Sequence, residues 1–381
     1  MAQRAPSCGL RAAIVNVRER RRYSRHLLIP EVGLAGQERL RASRVLVIGA
    51  GGLGSPALQY LAAAGVGRIG VVDDDVVDET NLQRQTIFGN ADVGRKKAVV
   101  AAERLQALNP LVNVDSIAIR FDPGNARELV RLYDIVLDCT DRFPTRFLIN
   151  DACFMEGRAD VYGSIFRFDG QVSVFRSPGP CYRCLYPEAP PLENRPTCSE
   201  GGVLGALAGI VGAWQASEAL KVLLRIGDPL IGRLMLVDTL QARVREVRFD
   251  RDPHCVLCGE SATISAIAAQ TYDDVPVESP VAEIDAELLD EALRDALLLD
   301  VREPHEAVLG SIDGAVRIPA SELEARMHEL DSASRYVVAC RVGAKSLWAV
   351  RRLHDAGFTR ITHLRGGLLA YAARHDEFEF F

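Results

Sequence analysis

The sequence predicts an α/β fold twice over: a mixed, mainly parallel sheet, then a smaller α/β domain. Three observations predict it. β-Branched apolar runs suit strands buried on both faces, helix-forming stretches separate those runs, and composition changes near residue 263 before the same alternation resumes. The length of 381 residues agrees with two or three domains at roughly 150 residues each.

Val45-Leu46-Val47-Ile48 is the first such run, followed by Gly49-Ala50-Gly51-Gly52-Leu53-Gly54 and by helical composition over residues 55–64. Residues 69–72 make a second strand that ends in Asp73, and residues 135–137 another that ends at Asp138 and leads to Thr140-Asp141. Residues 166–176 and 232–249 alternate apolar with polar, as in Gln171-Val172-Ser173-Val174-Phe175. That period suits antiparallel strands with one wet face, so the sheet is expected to be mixed. Residues 201–217 are Gly/Ala-rich and contain Gln215, and Glu218 and Lys221 close the run. This is short of the roughly 20 apolar residues that span a bilayer, so a small-residue core helix is expected and no membrane partner. Residues 263–280 carry small residues, an acidic pair and two prolines without periodicity. They read as a linker between a first domain, 1–262, and a second, 281–381. In the second, Leu297-Leu298-Leu299 precedes Asp300, Tyr336-Val337-Val338-Ala339 precedes Cys340, and Ile361-Thr362-His363-Leu364 precedes Gly366-Gly367.

Composition excludes some functions. Hydrophobic residues at 48% and charged ones at 25% are ordinary for a globular chain, and a net charge of -6 disfavours a general nucleic-acid binder. Nine cysteines, an odd count with no secretory signal, point to a reducing compartment where thiols bind metal or do chemistry. Arg4, Arg11, Arg18, Arg20, Arg21 and Arg22 face only Glu19, as in a transit peptide, yet the basic run continues unbroken into residues 22–25, and a cytoplasmic location is expected.

Gly49, Gly51 and Gly54 satisfy G-x-G-x-x-G between a strand and a helix, and Asp73 ends the next strand. Such glycines let backbone approach phosphate while the carboxylate accepts ribose hydroxyls, so the first domain is expected to be Rossmann-like and nucleotide-binding. A nucleotide-dependent oxidoreductase would share all of this. Carboxylate adenylation needs more: cations on the ATP phosphates and an acidic residue for Mg²⁺. Arg84, Lys97 and Asp141 supply those groups.

Arg22-Tyr23-Ser24-Arg25, the glycine loop, Thr80-Asn81-Leu82-Gln83-Arg84-Gln85, Cys181-Tyr182-Arg183-Cys184 and Thr197-Cys198 together resemble the E1-like activating enzymes of the MoeB/ThiF family, in the type that carries a C-terminal rhodanese domain. The resemblance covers about residues 20–381. It implies that Gly52, Asp73, Thr80, Asn81, Leu82, Gln83, Arg84 and Lys97 bind ATP and that Asp141 holds magnesium. It also implies that Arg25 reaches into the site of a partner subunit, hence a homodimer. The family usually has Asp-Asn where this chain has Asp141-Arg142, so Arg142 is a further candidate for phosphate or substrate contact.

Cys181-x-x-Cys184 and Cys255-x-x-Cys258 lie about 70 residues apart. Brought together, two such pairs make a closed thiolate site that suits a structural zinc, although spacing alone leaves a redox dithiol open. The resemblance implies a four-cysteine zinc at these positions. The proline-rich residues 187–196 predict a mobile loop that delivers Cys198, at the position of a cysteine proposed in the family to link covalently to the activated carrier; simple packing is the other reading.

Cys340 ends a strand, and Arg341-Val342-Gly343-Ala344-Lys345 leads into a helix expected to begin at Ser346. Converging N–H groups, the helix dipole and the charges of Arg341 and Lys345 favour a thiolate or persulfide there. The pattern resembles a rhodanese active loop, with Leu299-Asp300-Val301-Arg302-Glu303-Pro304, Gly314-Ala315-Val316-Arg317-Ile318-Pro319 and Leu364-Arg365-Gly366-Gly367 around it. Ser311 departs from the histidine common in the family. The resemblance implies adenylation of a small ubiquitin-like sulfur carrier ending in Gly-Gly. Sulfur transfer from Cys340 then follows, the sulfur being supplied by a cysteine desulfurase or by thiosulfate. An oxidoreductase fused to a sulfurtransferase and a non-enzymatic carrier-binding scaffold are the rival readings. Cys8, Cys139 and Cys153 have no motif around them and read as packing or terminal residues.

Overall fold

The computed structural model describes residues 16–188, 201–268, 272, 281–308 and 310–375. They form two compact units, one ending near residue 273 and the other following it. Cys8, Cys198 and most of residues 263–280 lie outside the described residues.

The first unit is built on an eight-stranded sheet of β1 (Arg44–Ile48), β2 (Arg68–Val72), β3 (Asn113–Ile117), β4 (Ile135–Asp138), β5 (Ala159–Phe166), β6 (Asp169–Phe175), β7 (Arg233–Asp238) and β8 (Arg243–Arg248). Its order is β3-β2-β1-β4-β5-β6-β7-β8, parallel as far as β5 and antiparallel from β5 to β8. The expected mixed sheet forms. From Val45 on β1 is apolar because both its faces are buried: Val45 and Val47 enter one core with Leu58, Leu61 and Val211, while Leu46 and Ile48 enter the other with Tyr133, Phe147 and Tyr182. β3 escapes a sequence reading because its polar alternation, Asn113-Val114-Asp115-Ser116-Ile117, belongs to a half-exposed edge strand. β5 escapes it because Asp160 and Gly163 interrupt the apolar run.

The Gly/Ala-rich segment forms the helix Gly205–Leu224, as expected. Among the described residues it is the helix long and apolar enough to cross a membrane, yet Leu207, Ala208, Val211, Gly212 and Gln215 are buried in the first unit. A Cβ at Gly212 would stand 2.2 Å from the Leu53 carbonyl oxygen, so a small residue is what lets this helix meet the glycine loop's exit.

In the second unit β9 (Ala282–Ile284), β10 (Leu297–Asp300), β11 (Val316–Arg317), β12 (Tyr336–Ala339) and β13 (Ile361–Leu364) form a parallel sheet in the order β11-β10-β12-β13-β9. Leu299 and Val338 face one core and Leu298, Val337 and Ala339 the other, the same double burial as in β1. The helix after Cys340 runs Ala344–Asp355 and so begins two residues before the expected Ser346, because Gly343 at φ +105 turns the chain directly into it.

Candidate nucleotide, thiolate and sulfur sites

The strand order reverses its direction of growth at β1 and β4, and ligands of open α/β sheets bind outside the carboxyl ends of strands at such a point. Gly49 leaves β1 there with φ +94, and an added Cβ would lie 2.7 Å from the Cys139 carbonyl oxygen just past β4. At Gly54, opening the helix Gly54–Ala64, a Cβ would lie 2.0 Å from the Gly49 carbonyl oxygen. The loop is folded back on itself and against β4, with room for glycine alone at both ends.

Asp73, at the end of β2, accepts the Ala50 N–H at 2.8 Å and the Asp75 N–H at 2.9 Å. Burial raises its carboxyl above the usual range, with those two bonds and Lys97 opposing the rise. Lys97 is buried at the start of the helix Lys97–Leu108 and pairs with Asp75 at 3.0 Å. Arg84 donates to the Thr80 carbonyl oxygen at 3.1 Å and lies against Gly52, where an added Cβ would meet its Cγ at 3.5 Å. Asn81 bonds Thr80 at 3.3 Å, Leu82 packs on the core, and Gln83 is exposed with its carbonyl oxygen against Gly205. Gly52, Thr80, Asn81 and Arg84 therefore gather on one side of the loop, with Asp73 and Lys97 beside it. Asp141 and Arg142 are exposed between β4 and the helix Phe143–Met155. Arg25 is exposed on the short helix Ser24–Leu27.

Several residues beneath this surface carry no sequence motif of their own. Asp138 and Asp160 are both buried, and burial raises both carboxyls, Asp160 further because the Asp138 charge adds to it. Thr140 bonds Asp138 through its N–H at 2.9 Å and its hydroxyl at 2.7 Å. Arg146, buried over the rings of Phe143 and Tyr162, donates to the Thr140 carbonyl oxygen at 3.1 Å and opposes the rise at Asp138. Gln215 ties β4 to β5 by donating to the carbonyl oxygens of Asp138 at 2.7 Å and Val161 at 3.0 Å. Gln85, in the quoted run after Arg84, is buried with its Nε2 beside Gly51.

The four paired cysteines meet. Their sulfur atoms all lie within 4.8 Å of one another. Cys181 and Cys184 are 3.8 Å apart, Cys181 and Cys255 3.6 Å, and Cys184 and Cys258 3.3 Å. Four thiolates about 2.3 Å from a tetrahedral zinc stand about 3.8 Å apart, so the soft donor set and its spacing fit zinc. Hydrogen bonds from the Cys181 thiol and the Asp252 N–H hold Cys184 down at about 5, while burial pushes Cys258 up to about 11. Among the described residues, Leu257 and the partly buried Phe154, Met155 and Ile264 pack around the cluster, little apolar support for such a knuckle. Arg183, between the first two cysteines, forks onto Asp151 at 2.6 and 2.8 Å, and Tyr272 donates to the same carboxylate at 2.7 Å. Tyr272 lies in the stretch expected to be linker, yet it is buried in the first unit.

In the second unit Cys340 is 2% exposed, and its sulfur receives the Gly343 N–H at 3.2 Å and the Ser346 hydroxyl at 3.4 Å. Lys345, expected to lend its charge to the thiol, pairs with Glu306 at 2.6 Å. Asp300 and Arg302 form a buried ion pair at 2.7 Å, from which Arg302 also holds the Gly310 carbonyl oxygen at 2.8 Å. Cys139 and Cys153 are buried, and burial pushes their thiols up, as packing residues require.

The chain is similar to known proteins. Residues 23–257 match the ThiF family and residues 285–374 a rhodanese-like domain. The chain is 44% identical over 371 residues, 95% of each chain, to the probable adenylyltransferase/sulfurtransferase MoeZ of Mycobacterium tuberculosis. It is 52% identical over 248 residues, 64% of this chain and 92% of the other, to the sulfur carrier protein adenylyltransferase of Thermus thermophilus. The structure of Escherichia coli MccB with ATP superposes at a TM-score of 0.52 with 22% identity, over 58% of this chain and 68% of that one, a likeness of fold. The chain belongs to the ThiF family and carries a rhodanese-like domain after its ThiF part.

Proposed function

We propose that this chain adenylates the C-terminal glycine of a small ubiquitin-like sulfur-carrier protein and then transfers sulfur to it from a persulfide on Cys340. The observation that carries the reading is the pairing, on one chain, of a glycine loop closed against β4 with a strand-end thiol that receives two hydrogen bonds. The names of the Mycobacterium and Thermus relatives support it.

The carrier carboxylate attacks the α-phosphate of ATP, forming an acyl-adenylate and releasing pyrophosphate. Gly52 leaves space for phosphate, Asp73 accepts ribose hydroxyls, and the segment Thr80, Asn81, Leu82, Gln83 lines the nucleotide. Arg84, Lys97 and Arg142 offset phosphate charge, and in a homodimer Arg25 serves the other copy's site. Asp141 is an exposed hard-oxygen donor that would hold magnesium, which offsets charge on the departing pyrophosphate. The four-cysteine site, with no position left for substrate, would hold zinc in a structural role. The outer sulfur of the Cys340 persulfide, loaded by a cysteine desulfurase or thiosulfate, then attacks the acyl carbon and expels AMP. Reductive cleavage of the resulting acyl disulfide frees the thiocarboxylate; Cys198 is the alternative acyl acceptor. Adenylation belongs to residues 1–262 and sulfur transfer to 281–381, joined by 263–280, in the cytoplasm.

Carrier-dependent exchange of labelled pyrophosphate into ATP tests the first step, and mass spectrometry of the carrier after ATP, thiosulfate and a reductant tests the second. A thiocarboxylate on the carrier is the expected product. Failure of exchange with every Gly-Gly carrier, together with reduction of a nicotinamide cofactor, would overturn the reading.

A further inference from the structure

A cavity of about 560 Å³ opens in the first unit, within the roughly 300–1,000 Å³ of small-molecule sites. Asp134 and Arg158 line it from just before β4 and β5, and Arg176 lines it from just after β6, which runs antiparallel to β5. Arg39 and Arg225 come to it from the last turn of the helix Gly33–Ala42 and the end of the helix Gly205–Leu224. It therefore lies at the amino ends of the parallel strands, whereas the glycine loop leaves the carboxyl end of β1.

Four arginines in one lining repel one another and call for an answering charge. Asp134, the acid in that lining, is already forked by Arg44, which donates its backbone N–H at 2.9 Å and its Nη2 at 2.7 Å, with a smaller pull from Arg158. Arg39 gives its Nη1 to the Leu224 carbonyl oxygen at 2.9 Å, and Arg158 gives its Nη2 to the Arg131 carbonyl oxygen at 3.3 Å. Both acceptors are neutral ends of helices and cancel no charge. Among the described residues the buried Arg158 Nε has no hydrogen-bond partner, and Arg176 and Arg225 have neither a hydrogen bond nor an ion pair. Arg225 also closes its helix in the left-handed conformation, φ +58, where glycine fits and a side chain lowers stability. A residue that strains the backbone here supplies one of the cavity's charges.

We infer that this cavity binds a small multivalent anion whose phosphate or carboxylate groups are held by Arg39, Arg158, Arg176 and Arg225. Among the described residues no aromatic ring lines it to stack a base, so charge is what it reads. None of these residues takes part in the proposed reaction, and the site can be assayed whether or not the chain adenylates a carrier.

Inorganic triphosphate and citrate are the probes, each titrated calorimetrically into the full chain at about 0.15 M ionic strength. An Arg84→Ala chain is the reference, because it weakens the glycine loop as a rival anion site. About one equivalent of probe should bind to it, less tightly as salt rises, and the tighter probe identifies the charged group recognised. Arg176 is exposed, and Arg176→Ala in that background should loosen binding about tenfold, the size of one hydrogen bond to a charged group. Arg225→Gly should loosen it as much while the free chain melts no lower, since its backbone suits glycine. Saturation by neither probe at millimolar concentration, loss of all binding in Arg84→Ala, or an affinity unchanged in Arg176→Ala or in Arg225→Gly would overturn the inference.

Discussion

Asp160 is 2% exposed, its Oδ1 has no hydrogen-bond partner among the described residues, and the like charge of a second carboxylate, Asp138, acts on it. Its folded carboxyl titrates well above the unfolded value, so it costs nothing in acid and lowers stability as pH rises from the unfolded value toward the folded one. Asp160→Asn should therefore match the wild type in urea unfolding near pH 4 and become more stable at neutral pH, by about tenfold in the folding constant for each pH unit between. At Gly54 a methyl group would strike the Gly49 carbonyl oxygen at 2.0 Å, and Gly54→Ala should cost about 1–3 kcal/mol by denaturant titration and also abolish pyrophosphate exchange. Cys340→Ser should leave that exchange intact and end thiocarboxylate formation, read by mass spectrometry of the carrier.

At the scale of elements, few apolar side chains among the described residues pack on the four-cysteine knuckle, so the proposed zinc would supply much of its stability. Cys255→Ser is expected to lose zinc by elemental analysis and to lower the melting temperature by about 4–8 °C, the size of a loss of about 2 kcal/mol in a unit this large. The elements legible in the sequence are those with one dominant period or a fixed motif: β1 with its glycine loop, the strand before Cys340, the two Cys-x-x-Cys turns. What stayed hidden depends on partners remote in sequence. β3 shows its polar edge, Gln215 reads as a polar residue in a helix until it bridges two strands, and Tyr272 looks like linker until it meets Asp151. The arginine cavity gives no signal because Arg39, Arg158, Arg176 and Arg225 come to it from helices and strands far apart in the chain.

For the molecule as a whole, each unit encloses its own apolar cores, and the Thermus relative matches 64% of this chain over 92% of its own length. Prepared separately, residues 1–280 should retain pyrophosphate exchange, while sulfur transfer with residues 281–381 added in trans should become dependent on their concentration up to the millimolar range that a short tether supplies. Of the seven described cysteines, four stand together in a cluster whose donors fit zinc, and Cys139, Cys153 and Cys340 are buried. This distribution keeps the bare thiols among the described residues out of reach of stray oxidants and foreign disulfides. In the proposed reaction loading would add one sulfur atom beyond Cys340 Sγ, so the reacting atom would stand a bond length farther from the backbone than the resting thiol.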